Sequence, residues 1–158
     1  MTDDELLAST RSAPLVSVDI IVRDRARRAL VMLRTEQPAK GTLFNPGGRI
    51  LRNEPLEQAF ERVILREIGC PLRFADATFR GVYQHFYATN RFGIANLGTH
   101  YVVLAHEVVL DDPAAVRLDD THSTYLWLNE VELLAHPDVH EYVKDYYRPA
   151  RRTQHAAL

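Results

Sequence analysis

The chain has 158 residues, 46% hydrophobic and 25% charged, the length and balance of one globular domain with room for a real core. A formal net charge of −2 offers no basic surface to nucleic acid or an anionic membrane, although nineteen Lys and Arg remain to meet a small anionic ligand. A single cysteine, Cys70, excludes an internal disulfide and fits a reducing cytoplasm, the expected location. The acidic start MTDDELLAST lacks the basic-then-apolar pattern of a secretory signal, and no apolar run approaches the roughly 18 residues that span a bilayer.

In chain order, LVSVDIIV (15–22) is rich in β-branched residues and predicts a strand buried on both faces. Asp19 lies inside it, and a carboxylate there needs a partner or a ligand. The basic turn RDRARR (23–28) leads to a second strand, ALVMLR (29–34), and Pro38, Gly41, Pro46, Gly47 and Gly48 then punctuate a long loop. From Glu54 the period becomes helical: Leu56, Ala59, Phe60, Val63, Ile64 and Ile68 share one apolar face, with Asn53 as expected N-cap, Pro55 in the first turn and Gly69 as the stop. Strands follow at 79–87, 99–110 and 124–128, then helices at 129–135 and 138–147. Residues 1–13 and 149–158 are expected to be flexible ends. Strands and helices in this order predict an α/β layered domain.

The stretch PGGRILRNEPLEQAFERVILREIG (46–69) carries a more specific signal. Gly48, five residues, Glu54, seven residues, Arg62, then Glu67 and Gly69 fall in register with the Nudix box, and the chain resembles that superfamily. Two carboxylates of the pattern are absent, since Val63 and Arg66 stand where Glu is expected, and Cys70 replaces the final aliphatic residue. Positions 63, 66 and 67 share a helix face, so only Glu67 can ligate a hard cation from this turn and Arg66 opposes a second one. The thinned acidic set resembles the GDP-mannose mannosyl hydrolase subfamily. That likeness extends through PAKGTLFNPGGR, EQAFERV, GVYQHFY, THYVVLAH and TYLWL.

The resemblance implies a single Nudix domain over 1–158, with a mixed β-sheet sandwiched between helices. It implies one Mg²⁺ per active site and a nucleotide-sugar substrate, with neither nucleic acid nor membrane as a partner. Water would attack the sugar C1 and release GDP and the inverted sugar. The ion would be held by Glu67 and the Gly47 carbonyl. In the metal loop Thr121 replaces the subfamily's glutamine, so a water or Asp119 or Asp120 could fill that place. His122, just before TYLWL and read as lying in a loop, matches the catalytic base, a role suited to imidazole. Arg49 matches a residue that steadies leaving-group charge. Arg62 either acts there too or pairs with Glu54. Asp19, Arg34, His85 and Tyr101 resemble substrate-contacting residues, whereas Glu57 and Glu61 have no assigned role. The subfamily is dimeric, and segments 92–104 and 142–147 offer apolar contact surface for a homodimer. Two other functions remain open: a pyrophosphatase acting on another nucleoside diphosphate derivative, and a non-catalytic nucleotide-sugar-binding domain.

Overall fold

The computed structural model describes residues 2–149, so residue 1 and all but the first residue of the tail expected to be flexible (149–158) lie outside the described residues. A seven-stranded mixed sheet carries the chain: β1 (Leu15–Arg23), β2 (Ala29–Arg34), β3 (Leu43–Phe44), β4 (Gly47–Arg49), β5 (Thr78–Tyr87), β6 (Thr99–Val109) and β7 (His122–Leu128). β1 runs parallel to β6 along its whole length, and β5 closes that side as an antiparallel edge. On the other side β2 pairs with β3 and β7.

The branch in this sheet makes room for a site. β1 meets β2 at the hairpin end, Arg23 opposite Ala29, and then pairs instead with β4 at Ser17, Val18 and Asp19.

Helices cover both faces. On one, α2 (Leu56–Ile68) buries Ala59, Phe60, Val63, Ile64 and Ile68 against Val18, Ile20 and Val22 of β1. Val63, standing where the box has a glutamate, is fully buried and simply enlarges this core. On the other face α3 (Glu130–Ala135) and α4 (Glu141–Asp145) bring Leu133 and Val143 onto Ala29, Val31, Leu43 and Phe44, while Tyr146 packs on Ile21 and Ala105. No helix among the described residues is long and apolar enough to cross a membrane.

Four expectations change. The N-terminal stretch is not a loose end: Asp3–Ser12 form α1, started by a reciprocal capping box between Thr2 and Glu5 and anchored by buried Leu6. Asn53 does not cap α2. It adopts a left-handed φ of 62°, which asparagine tolerates, and Glu54 folds back to accept from the Leu51 N–H at 2.8 Å, leaving Pro55 at the cap. The last helix is shorter than 138–147 because residues 138–140 bond to the backbone of Leu43 in a strand-like bridge. His122 begins β7, opposite Arg34, and is not in a loop. Gly69 does end α2, in a left-handed conformation with φ 68°.

Candidate active site

One cavity of about 440 Å³, within the range of small-molecule sites, opens where β1 and β2 diverge. Its wall includes nine of the ten residues singled out from sequence: Asp19, Arg34, Gly47, Arg49, Arg62, Glu67, His85, Tyr101 and Thr121. His122 is the exception. The residues come from β1, β2, β4, α2, β5, β6 and the segment before β7, so the fold and not the local sequence assembles them.

At one end stands the C-terminal turn of α2. Its cavity side presents Arg62, Arg66 and Glu67, with the Glu67 carboxylate paired to Arg66. Glu67 is only 4% exposed. Burial pushes its acid up to about 7, against the Gly47 N–H and Arg66, which favour the charged form, while nearby Asp119 adds to the rise. Gly47 N donates to Oε2 at 2.9 Å, and Arg66 Nη2 lies 3.0 Å from Oε1. Among the described residues no three carboxylate, His or Cys side chains converge on a single ion position. A buried carboxylate facing a cavity nevertheless fits a divalent ion that takes its other ligands from a substrate, which is how Mg²⁺ is commonly held.

Arg62 is committed elsewhere. It forms a fork with both oxygens of Glu54, Nε to Oε1 at 2.5 Å and Nη2 to Oε2 at 2.9 Å, and Nη2 also bonds the Arg49 carbonyl at 2.8 Å. Of the two roles open from sequence, the geometry supports the structural one: Arg62 sets the backbone that carries Arg49. Arg49 itself is partly desolvated, which weakens its hold on its proton; Tyr101 opposes that, and Arg91, Arg66 and Arg62 add to it. Gly48 is needed for the packing of α2, because a Cβ there would sit 2.8 Å from Val63 Cγ2.

Asp119 joins this end through its backbone, donating to the Glu67 carbonyl at 3.3 Å. Three donors converge on its Oδ1: Thr121 N at 3.1 Å, Thr121 Oγ1 at 2.8 Å and His122 Nδ1 at 2.8 Å. Burial alone would raise this acid, but the bonds from His122 and Thr121 win and hold it below the usual range. The Thr121 hydroxyl proton is thus taken by Asp119. His122 stands behind Asp119, its side chain 1% exposed and its Nε2 without a partner among the described residues. Burial lowers the pKa of its imidazole and so favours the neutral form, with the Asp119 bond opposing.

The opposite end is built from rings. Asp19 lies directly across from Gly47, and a Cβ at that glycine would come within 2.6 Å of Asp19 Oδ1. Burial raises the Asp19 acid to about 6, against bonds from Tyr146 and Asn45 and the charge of Arg34. Arg34 is anchored by Nε to the Pro38 carbonyl at 3.0 Å. His85 stacks flat on Tyr142, centroids 4.2 Å apart, and is neutral because burial, helped by His140, pushes its pKa down to about 3.

Sequence reading missed Tyr142 and Tyr146, although their i, i+4 spacing marks one helix face. It also missed Asn45 and Arg91. It expected 142–147 to be free for a partner subunit; these residues instead pack inward, with Val143 at 1% and Tyr146 at 4% exposure.

A family model described as NUDIX domain matches residues 13–148. The low-salt glycan biosynthesis protein Agl8 of Haloferax volcanii is 35% identical over 142 residues, 89% of this chain and 87% of that protein. Among solved structures, a MutT NUDIX hydrolase from Burkholderia pseudomallei superposes with TM-score 0.70 at 26% identity, covering 85% of this chain and 96% of that one. The NUDIX domain of Shewanella oneidensis NrtR, solved with ADP ribose, gives 0.64 at 19% identity over 94% and 97% of the two chains. The chain belongs to the Nudix hydrolase family.

Proposed function

We propose that this chain is a Mg²⁺-dependent hydrolase of a GDP-sugar, GDP-mannose before others, that cleaves at the sugar C1 and releases GDP and free sugar. The observation that carries this reading is the cavity side of α2, where Glu67 is the one carboxylate left and Arg66 and buried Val63 stand in place of the other two of the family box. Such a face suits a diphosphate that leaves intact better than one attacked at phosphorus. The relative from Haloferax, named for glycan biosynthesis, is compatible with a nucleotide-sugar substrate.

Glu67, with the Gly47 carbonyl, would hold the ion. Bound there, Mg²⁺ supplies positive charge against the diphosphate as GDP departs. Arg49 and Arg66 bind the same group through forked guanidinium contacts. Asp119 takes the proton from the attacking water, with His122 and Thr121 orienting its carboxylate through Oδ1 and leaving Oδ2 for the water. His122 therefore serves the reaction from behind Asp119. Asp19, His85, Arg34 and Tyr101 hold the sugar and diphosphate. Departing GDP is a weak base and needs no separate acid.

Incubation with GDP-mannose and Mg²⁺ tests this, with GDP plus mannose as the expected products. GMP plus mannose 1-phosphate would replace the reading by a pyrophosphatase. One observation favours binding without turnover: the His122 imidazole does not reach the cavity wall. Binding with unchanged substrate would establish that alternative. The protein is further proposed to be a homodimer, supported by exposed Val82 and Phe86 on edge strand β5. Light scattering at micromolar concentration should give twice the chain mass, and a monomer mass would exclude it.

A further inference from the structure

We propose that Tyr146 is a positioning residue that fixes His85 as its Nε2–H tautomer and Asp19 as an acceptor, so that this end of the cavity selects the hydroxyl groups of a neutral sugar. The proposal rests on the nucleotide-sugar reading for its ligand, but the hydrogen-bond assignment does not depend on which ligand binds.

Tyr146 lies just beyond α4, is 4% exposed and does not line the cavity. Its hydroxyl has one proton to give, and gives it to Asp19 Oδ2 at 2.6 Å. The same oxygen lies 3.3 Å from His85 Nε2. With the hydroxyl proton already taken, that second contact is a hydrogen bond only if Nε2 carries the hydrogen. A neutral imidazole carries one N–H, so Nδ1 is then a bare acceptor. His85 is neutral at any ordinary pH, since burial pushes it down to about 3. The 2.6 Å contact has the length of a hydroxyl donating to a carboxylate, which fixes the direction of the chain of bonds.

The ring is not free to turn. Tyr142 stacks on it at an interplanar angle of 5°, and Phe44 meets it edge-on with centroids 6.0 Å apart. Tyr142 is itself clamped by its hydroxyl, which accepts from Phe86 N at 2.8 Å and donates to Phe86 O at 2.9 Å. Nδ1 consequently lies on the side of Tyr87, a residue of the cavity wall. The Tyr87 hydroxyl is 3.5 Å away, at the outer limit of hydrogen bonding, so it leaves Nδ1 available to a closer donor.

This end therefore offers two acceptors, an imidazole nitrogen and a carboxylate, to whatever enters, and the nearby Arg34 charge is already balanced by Asp19. Sugar hydroxyls satisfy both. A uronic acid would place a second carboxylate beside Asp19, and the site would reject it. Selection here is thus for a neutral hexose over an acidic one.

Two measurements test the proposal on the full chain in alkaline buffer. Nitrogen NMR of ¹⁵N-histidine-labelled protein, with His85 identified by its loss in His85→Gln, should show protonated Nε2 and unprotonated Nδ1. Tyr146→Phe keeps the ring and removes the hydroxyl, and should turn His85 into a mixture of tautomers. Protonated Nδ1 in the wild type, or an unchanged tautomer in Tyr146→Phe, would overturn the assignment. Calorimetry with Mg²⁺ should show GDP-mannose binding on the order of 10²-fold more tightly than its C6-carboxylate analogue. Equal affinities would overturn the selectivity. If neither compound binds, the nucleotide-sugar reading fails together with the selectivity, while the tautomer assignment is still decided by the NMR.

Discussion

The two ends of the cavity are made differently. The α2 end is a set of charges on one helical turn and an adjoining segment, with the Arg66 side chain 50% exposed and free to change partners when a ligand arrives. The Asp19 end is a packed stack in which His85 is held on Tyr142 and bonded through Tyr146. The first is arranged to meet charge that develops during reaction. The second is arranged to recognise a fixed shape. Changes at the α2 end should therefore appear in turnover and metal dependence, and changes at the Asp19 end in affinity and stability.

The largest effect expected from that contrast is at Asp119. Asp119→Asn should lower kcat by roughly 10²–10⁴-fold, the range for losing a general base. His122→Gln should cost less, because the amide can still donate to Asp119. If His122→Gln proves the more damaging of the two, imidazole and not carboxylate takes the proton, and steady-state kinetics of both variants decides this. Next comes the metal. Glu67→Gln should raise the Mg²⁺ concentration for half-maximal activity far more than Thr121→Val, whose lost hydroxyl served Asp119. Equal shifts in the two Mg²⁺ titrations would make the threonine a direct ligand.

At the Asp19 end, Gly47→Ala forces a methyl group to 2.6 Å from Asp19 Oδ1. It should destabilise the fold by about 1–3 kcal/mol in denaturant titration. A neutral outcome would mean that β4 and β1 can separate without cost. The last effect is in pH dependence. Below the ordinary imidazole value the unfolded chain binds a proton that folded His85 refuses down to about 3, so stability falls as pH drops through that window. The slope from this one group is at most about 1.4 kcal/mol per pH unit. The other histidines whose values burial lowers, His106, His122 and His140, act with the same sign, whereas Glu67 and Asp19, raised to about 7 and about 6, act with the opposite sign. Equilibrium unfolding in acid should show a shallower slope for His85→Gln than for wild type; an unchanged slope would remove His85 from the account.

The same contrast explains what could be read from sequence. At the α2 end the spacing of Gly48, Glu54, Arg62, Glu67 and Gly69 encodes the geometry, because a helix turns fixed spacing into a fixed face. The central strands and α2 were legible for the same reason, through periodicity. α1 was legible in principle from Thr2 and Glu5, a capping box three residues apart. The Asp19 end was not legible as an assembly. Asp19, His85 and Tyr146 are separated by 61 to 127 positions, and their meeting depends on how β1, β5 and α4 stack. Hiding His122 behind Asp119 likewise required the pairing of β7 with β2, which places it opposite Arg34.

The central claim is that cleavage occurs at the sugar carbon, and the fate of the oxygen from water tests it most directly. Hydrolysis of GDP-mannose in ¹⁸O-water with Mg²⁺, followed by mass spectrometry of both products, should place the label on mannose and leave GDP unlabelled. Label on a nucleotide phosphate would contradict the account.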